Sequence, residues 1–336
     1  MGGAPEPPAA AGGVRLAGPV GPGGERIAFR SDIEGLRAVA VLAVLLYHAR
    51  VPGFAGGYVG VDVFFAVSGF LITSILLREG DSTGTIALPA FWARRVRRLL
   101  PASMLVVVVT LAVARVALDP LAQRAANHDG LLAALGVVIN TVFAFREVDY
   151  LHGAAAGPFQ HYWSLALEET FYLVWPVVVW AVVRRGRAVL GVVAGVGAAA
   201  SFLLCIRWTT SPGAPLAFFL LPARAWELLV GAVAALGAPR LARLPRAVGW
   251  AGLVAVAVAV CGFDDLTLFP GWAAALPVFG TVALLLAPHG PVRVLGTRAL
   301  GWWGARSYSI YLWHWPAVVL AEALRRVDVD GAHGVA

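Results

Sequence analysis

The chain has 336 residues, of which 60% are hydrophobic and 13% charged, with a mean hydropathy of +0.78 and a net charge of +7. Soluble domains carry about 25% charged residues, so this composition excludes an ordinary soluble enzyme. Every basic side chain is Arg, set mostly between apolar runs as a topology anchor rather than as a nucleic-acid surface. The two cysteines, Cys205 and Cys261, lie in apolar runs and offer neither a disulfide framework nor a zinc spacing.

In chain order, residues 1–24 are rich in Gly, Pro and Ala without the basic-then-apolar order of a signal peptide, and read as a disordered tail. A membrane domain is expected over 25–325 and a short tail over 326–336. Ser31-Asp32-Ile33-Glu34 fits a capping box that opens the first helix. Apolar candidates follow at roughly 33–50, 58–77, 99–118, 129–145, 163–183, 188–206, 216–236, 247–262, 272–287 and 307–323. They lack the alternation of barrel strands. The expected fold is therefore all-α, a polytopic integral membrane helical bundle of about ten transmembrane helices.

The Arg-rich loops conflict over sidedness. Arg26, Arg30 and Arg37, Arg78 with Arg94–Arg98, Arg184–Arg187, Arg240–Arg246 and Arg293–Arg306 all favour one side of the membrane. Three candidates separate Arg98 from Arg184, and an odd number cannot return the chain to that side. Either one candidate is re-entrant or one basic loop faces outward.

Ionisable groups inside spans cost about 2.5–3.5 kcal/mol each on insertion scales, so each needs a reason. In RAVAVLAVLLYHAR, residues 37–50, His48 follows Arg37 by eleven positions. That is three turns plus about 20°, so the two share a face, with a rise of about 16 Å. With Arg37 at the membrane boundary, His48 is expected near mid-membrane. From spacing alone, a helix-packing histidine accounts for it as well.

Asp62 and Ser68 lie in GGYVGVDVFFAVSGFLITSILLREG, residues 56–80. A carboxylate there can orient an imidazole, whereas Ser68 suits simple helix packing. FWARRVRRLLP, residues 91–101, is either an anchor or an anion site. HYWSLALEETFYLVWP, residues 161–176, carries Glu168 and Glu169 into a span. Arg224 and Glu227, at i and i+3, read as a local ion pair. SYSIYLWHWP, residues 307–316, places His314 before Pro316. No H-E-x-x-H, P-loop or dinucleotide fingerprint appears, so a metal is not expected.

Taken in order, these stretches resemble the membrane-integral acyltransferase-3 family of bacterial multispanning O-acyltransferases. The resemblance runs from residue 30 to about 320. It rests on D-I-E-G-L-R-A, on Arg37 and His48 as R-x10-H, and on G-Y-V-G-V-D-V-F-F with S-G-F-L-I-T. R-x-x-R occurs twice, as Arg94/Arg97 and Arg95/Arg98, and W-S-L-A-L-E-E, R-A-W-E-L and S-Y-S-I-Y-L-W-H-W-P complete the set. The resemblance implies transfer of an acyl group, usually acetyl, from cytoplasmic acyl-CoA to a hydroxyl of an extracytoplasmic glycan or glycoside. It also implies a multi-pass protein of the bacterial cytoplasmic membrane.

Alternative readings are acylation of a macrolide-type glycoside and, outside enzymes, a glycolipid transporter or flippase. The ending resembles members fused to an SGNH domain. That domain is not expected within residues 1–336; either these residues are a fragment of a longer chain that carries it, or a separate SGNH-type partner supplies it. The implied roles put Arg94, Arg95, Arg97 and Arg98 on the CoA phosphates and Arg37 along the donor path. His48 acts as the base or transiently carries the acyl group. Asp62, Glu168 or Glu169 orients the imidazole, with the choice among them open.

Overall fold

The computed structural model describes residues 30–146, 157–241, 244–287 and 289–333; the tail expected over 1–24 lies outside them. From Ser31 onward the chain is one compact unit, and among the described residues it is helical with no strand. The α-helices are α1 Ser31–His48, α2 Gly60–Thr83, α3 Leu88–Ala117, α4 Pro120–Leu135, α5 Ile139–Phe145, α6 Tyr162–Val182 and α7 Arg187–Thr209. They continue with α8 Ala214–Phe219, α9 Leu221–Leu241, α10 Arg246–Gly262, α11 Ala275–Leu286, α12 Val292–Leu295 and α13 Arg298–His333.

Five helical segments, Gly57–Thr83, Leu88–Ala117, Tyr162–Arg185, Arg187–Thr209 and Ala214–Ala238, are long and apolar enough to cross a bilayer. Arg246–Gly262 and Ala275–Leu286 are shorter apolar helices. Exposed Val108, Val116, Val174, Val196 and Leu203 leave apolar side chains on the outer faces of α3, α6 and α7. Helices apolar on all sides suit hydrocarbon rather than water. The protein is an all-α polytopic membrane bundle.

The candidate at 129–145 is not one span. Asp119 caps α4 by accepting from the N–H groups of Leu121 and Ala122 at 2.9 and 3.0 Å. The helix stops at Gly136, whose φ of +78° is a conformation that glycine adopts without steric cost. α5 then runs back, and Arg146 at its end pairs with Asp129 of α4 at 3.0 Å. The segment enters and leaves on one side. Only α3 and α6 then cross between Arg98 and Arg184, and the parity conflict disappears.

The basic connections gather at one end of the bundle. Arg187 pairs with Asp81, and Gly80 packs on Val183, which joins the end of α2 to the start of α7. Gly249 packs on Ala287 and Gly290 on Arg246, which sets the α10 start beside the α11 end. Leu295 of α12 packs on Gly35 of α1. The opposite end carries Gly56 against Ala259 and Gly271 against Thr209.

α2 and α9 cross closely at small residues, as membrane helices do where backbones approach. A Cβ added at Gly69 would run into the carbonyl oxygen of Leu228, and one at Gly231 into that of Ala66. Gly69→Ala is expected to destabilise the bundle by about 1–3 kcal/mol through overpacking. A lowered thermal midpoint in detergent checks this, and an unchanged midpoint would deny the crossing.

Candidate active site

Two cavities meet inside the bundle. The first, ≈ 110 Å³, has a mainly apolar lining into which Arg37, Ser68, Arg95, Arg98, Ser164, Glu168, Glu169, Tyr172, Tyr308 and Tyr311 bring polar groups. The second, ≈ 240 Å³, is bounded by α3, α6 and the α4–α5 break. It shares Arg95, Leu99, Leu165, Glu169 and Tyr172 with the first.

Helix geometry divides the arginine cluster. At 100° per residue, Arg94 and Arg97 share one face of α3 while Arg95 and Arg98 share the next. Arg95 and Arg98 line the first cavity, with the Arg95 guanidinium 5.5 Å from the Phe91 ring centre and 6.0 Å from that of Tyr172. Arg94 turns away to Glu79 at 3.3 Å, and the same carboxylate accepts from the Ala87 N–H at 2.8 Å, tying α3's start to α2. Arg97 donates to the Ala93 carbonyl on the exposed side.

Arg37 sits deeper than the sequence suggests. It is mostly buried, pairs with Glu34 at 3.1 Å, and faces the same cavity as Ser68. Beyond Ser68, α2 continues toward the basic end for about four turns, or ~22 Å. The spacing of Arg37 and His48 fixes their separation along α1 but not the height of α1, and α12 packs under α1's first turns. Arg37 therefore lies inside the bundle. His48, the last residue of α1, stands near the opposite end, where Gly57 packs on Ala43 and Tyr47.

At that end three histidines converge. His48 Nδ1 lies 3.0 Å from His314 Nε2, and His314 Nδ1 lies 2.5 Å from the Tyr311 carbonyl oxygen. The rings of His48 and Trp315 are 4.5 Å apart between centres. Pro316 has no N–H for the carbonyl of Leu312 four residues earlier. That carbonyl is met instead by Nε2 of the fully buried His161 at 3.1 Å. Ser164 Oγ and Tyr311 Oη are 2.6 Å apart, and each lies 3.2 Å from the His161 carbonyl. Ser164 and Tyr311 also line the first cavity. A polar path thus runs from the arginines to the histidines.

The three carboxylates separate. Glu168 accepts from Ser68 at 2.7 Å and from Tyr172 at 3.4 Å, inside the first cavity. Glu169 lines both cavities, and its Oε2 fills the space that a Cβ on Gly136 would need. Asp62 goes elsewhere. Its carboxylate meets Arg224 at 3.1 Å, and Arg224 meets Glu227 at 3.0 Å, all of them buried. The Phe65, Trp163, Phe218 and Phe269 rings surround that guanidinium at 5.5–5.8 Å from their centres.

Sequence reasoning missed the partnership of His48 with His314 and of Ser164 with Tyr311. The one local signal was the cost of burying His161 and His314 in apolar surroundings. Among the described residues, no group of three His, Cys, Asp or Glu side chains could hold a metal ion.

A family model described as an acyltransferase domain matches residues 30–327. Peptidoglycan O-acetyltransferase OatA of Listeria monocytogenes is 32% identical over 315 residues, 88% of this chain and 50% of that protein. A Bacillus subtilis protein provisionally named peptidoglycan O-acetyltransferase YrhL is 34% identical, covering 88% of this chain and 49% of its own length. A provisionally named Staphylococcus aureus O-acetyltransferase is 30% identical over 88% of this chain and 51% of its own. No solved structure matches significantly. The chain spans about half the length of the curated relatives it matches. On the family match and these identities, the chain belongs to the acyltransferase-3 family.

Proposed function

We propose that this chain is an O-acyltransferase that moves an acyl group, acetyl in the simplest case, from acyl-CoA to a glycan hydroxyl. The observation that carries the reading is the cavity that joins Arg37, Arg95 and Arg98 to Tyr311, one helical turn from the His48–His314 pair. The basic end faces the cytoplasm under the positive-inside rule, in the bacterial cytoplasmic membrane. The acceptor is a cell-wall glycan on the other face, the substrate class in the names of the Listeria and Bacillus relatives.

Guanidinium forks suit the donor's phosphates, and Arg95 and Arg98 supply them in the cavity lining. The first cavity alone, at ≈ 110 Å³, is smaller than the ~300–1,000 Å³ of a whole-ligand site. It suits the slender pantetheine arm and leaves the nucleotide at the mouth. Arg37, deeper in, steers the thioester toward Tyr311. His48 removes the acceptor proton, a task suited to neutral imidazole. The carbonyl carbon then gains the acceptor oxygen and loses the thiolate.

The test is acceptor-dependent thiol release by purified protein given acetyl-CoA and peptidoglycan fragments, with the ester identified by mass spectrometry. Absence of turnover with acetyl and longer acyl donors alike would overturn the reading. Arg95→Ala is expected to raise the donor KM about tenfold, the loss of one charge-assisted contact worth ~1.5 kcal/mol. Arg97→Ala is expected to leave it unchanged. Equal effects of the two would remove Arg95 from the donor site.

A further inference from the structure

We propose that His314 is a positioning residue that holds His48 in the tautomer with its lone pair on Nε2. It also shares the positive charge that forms when that nitrogen takes a proton. The inference rests on reading His48 as the base.

The hydrogen-bond order fixes the protons. His314 Nδ1 lies 2.5 Å from the Tyr311 carbonyl oxygen, which only accepts, so Nδ1 must carry hydrogen. A neutral imidazole with Nδ1–H presents a lone pair at Nε2. That atom faces His48 Nδ1 at 3.0 Å, so His48 Nδ1 must be the donor. The lone pair of His48 is thereby assigned to Nε2.

The surroundings hold this order in place. His314 is buried, its ring plane lies at 30° to that of His48 with the centres 5.1 Å apart, and it meets His161 edge-on at 5.5 Å between centres. His161 is committed in turn to the Leu312 carbonyl freed by Pro316. Among the described residues, the ionisable neighbours of His314 on the packed elements are His48 of α1, His161 beside the start of α6, and Tyr311 of α13 itself. Among them, His48 is the one in hydrogen-bonding reach of His314 Nε2.

The proton balance closes without another reactant. The acceptor O–H proton passes to His48 Nε2 as the acyl C–O bond forms and the C–S bond breaks, with the electron pair leaving on sulfur. The Nδ1–H of the resulting imidazolium leans toward His314 Nε2, which spreads the charge over two rings. The proton held at His48 equals the one the thiolate regains, so the pair ends neutral. A third group that orients a catalytic base through its second nitrogen has the same logic as the acid member of a hydrolase triad, with an imidazole in place of the carboxylate.

The experiment compares His314→Phe, which keeps a ring and removes the acceptor, with His314→Gln, which restores an acceptor oxygen. For His314→Phe, kcat is expected to fall about 100-fold with the donor KM unchanged. His314→Gln is expected to stay within about tenfold of the native kcat. Wild-type kcat in the Phe variant, or equal losses in Phe and Gln, would overturn the proposal. If the Phe variant is not recovered folded, His314→Met takes its place, matched to Gln in length and lacking a strong acceptor. Failure of the underlying reading shows separately, as transfer surviving in His48→Ala.

Discussion

Replacing His48 with alanine is expected to lower acyl transfer by about 10² to 10⁴, the usual contribution of a positioned acid–base group. Donor binding and the thermal midpoint are expected to stay near native values. His48 is the last residue of α1 and supports no helix beyond it. Its ring packs beside Trp315 and His314, so truncation leaves a small gap rather than a collapsed core. The informative measurement is single-turnover transfer with donor saturated, which separates the chemical step from binding. Native single-turnover rates in His48→Ala would move the chemistry off α1 and leave Glu168 and Glu169 as the groups to examine.

Arg224→Met is expected to be the most destabilising single change in the bundle, at about 3–5 kcal/mol. The guanidinium is fully buried between Asp62 and Glu227, and its removal strands two carboxylates in an aromatic cage. The expected readout is a large drop in thermal midpoint or loss of monodisperse protein in detergent. Replacing all three partners together, as Asp62→Leu, Arg224→Met and Glu227→Leu, is expected to recover much of the loss, because no buried charge then lacks its partner. A single Arg224→Met variant that melts at the native temperature would mean the cluster is hydrated. Asp62→Asn offers a sharper separation. A fall in kcat with no change in midpoint would return Asp62 to the chemistry and remove it from the framework.

These two residues also mark how far the sequence could be read. The apolar runs, Arg37 and His48 on one helix, the α3 arginines and the Arg224–Glu227 pair follow from periodicity and local spacing, and the helices carry them as expected. What periodicity cannot supply is the partner across the bundle. His48 and His314 are 266 positions apart, and Asp62 finds its cation on α9 rather than the imidazole on α1. Four arginines in five positions look equivalent as a string. Only the neighbour of each, Glu79 for Arg94 and the Tyr172 ring for Arg95, decides which face the cavity. The apparent span at 129–145 failed for a related reason. Mean hydropathy does not register that Gly136 takes a positive φ and turns the chain back.

The 2.6 Å contact between Ser164 and Tyr311 has one more consequence. A shaft that ran unbroken from the arginines to the histidines would be an electrical short through the membrane. Each elementary charge that crosses a membrane held at 100 mV dissipates about 2.3 kcal/mol. These two buried hydroxyls bound the first cavity on the side toward the histidines. With a hydrogen-bonded contact there in place of an open channel, the membrane keeps its voltage.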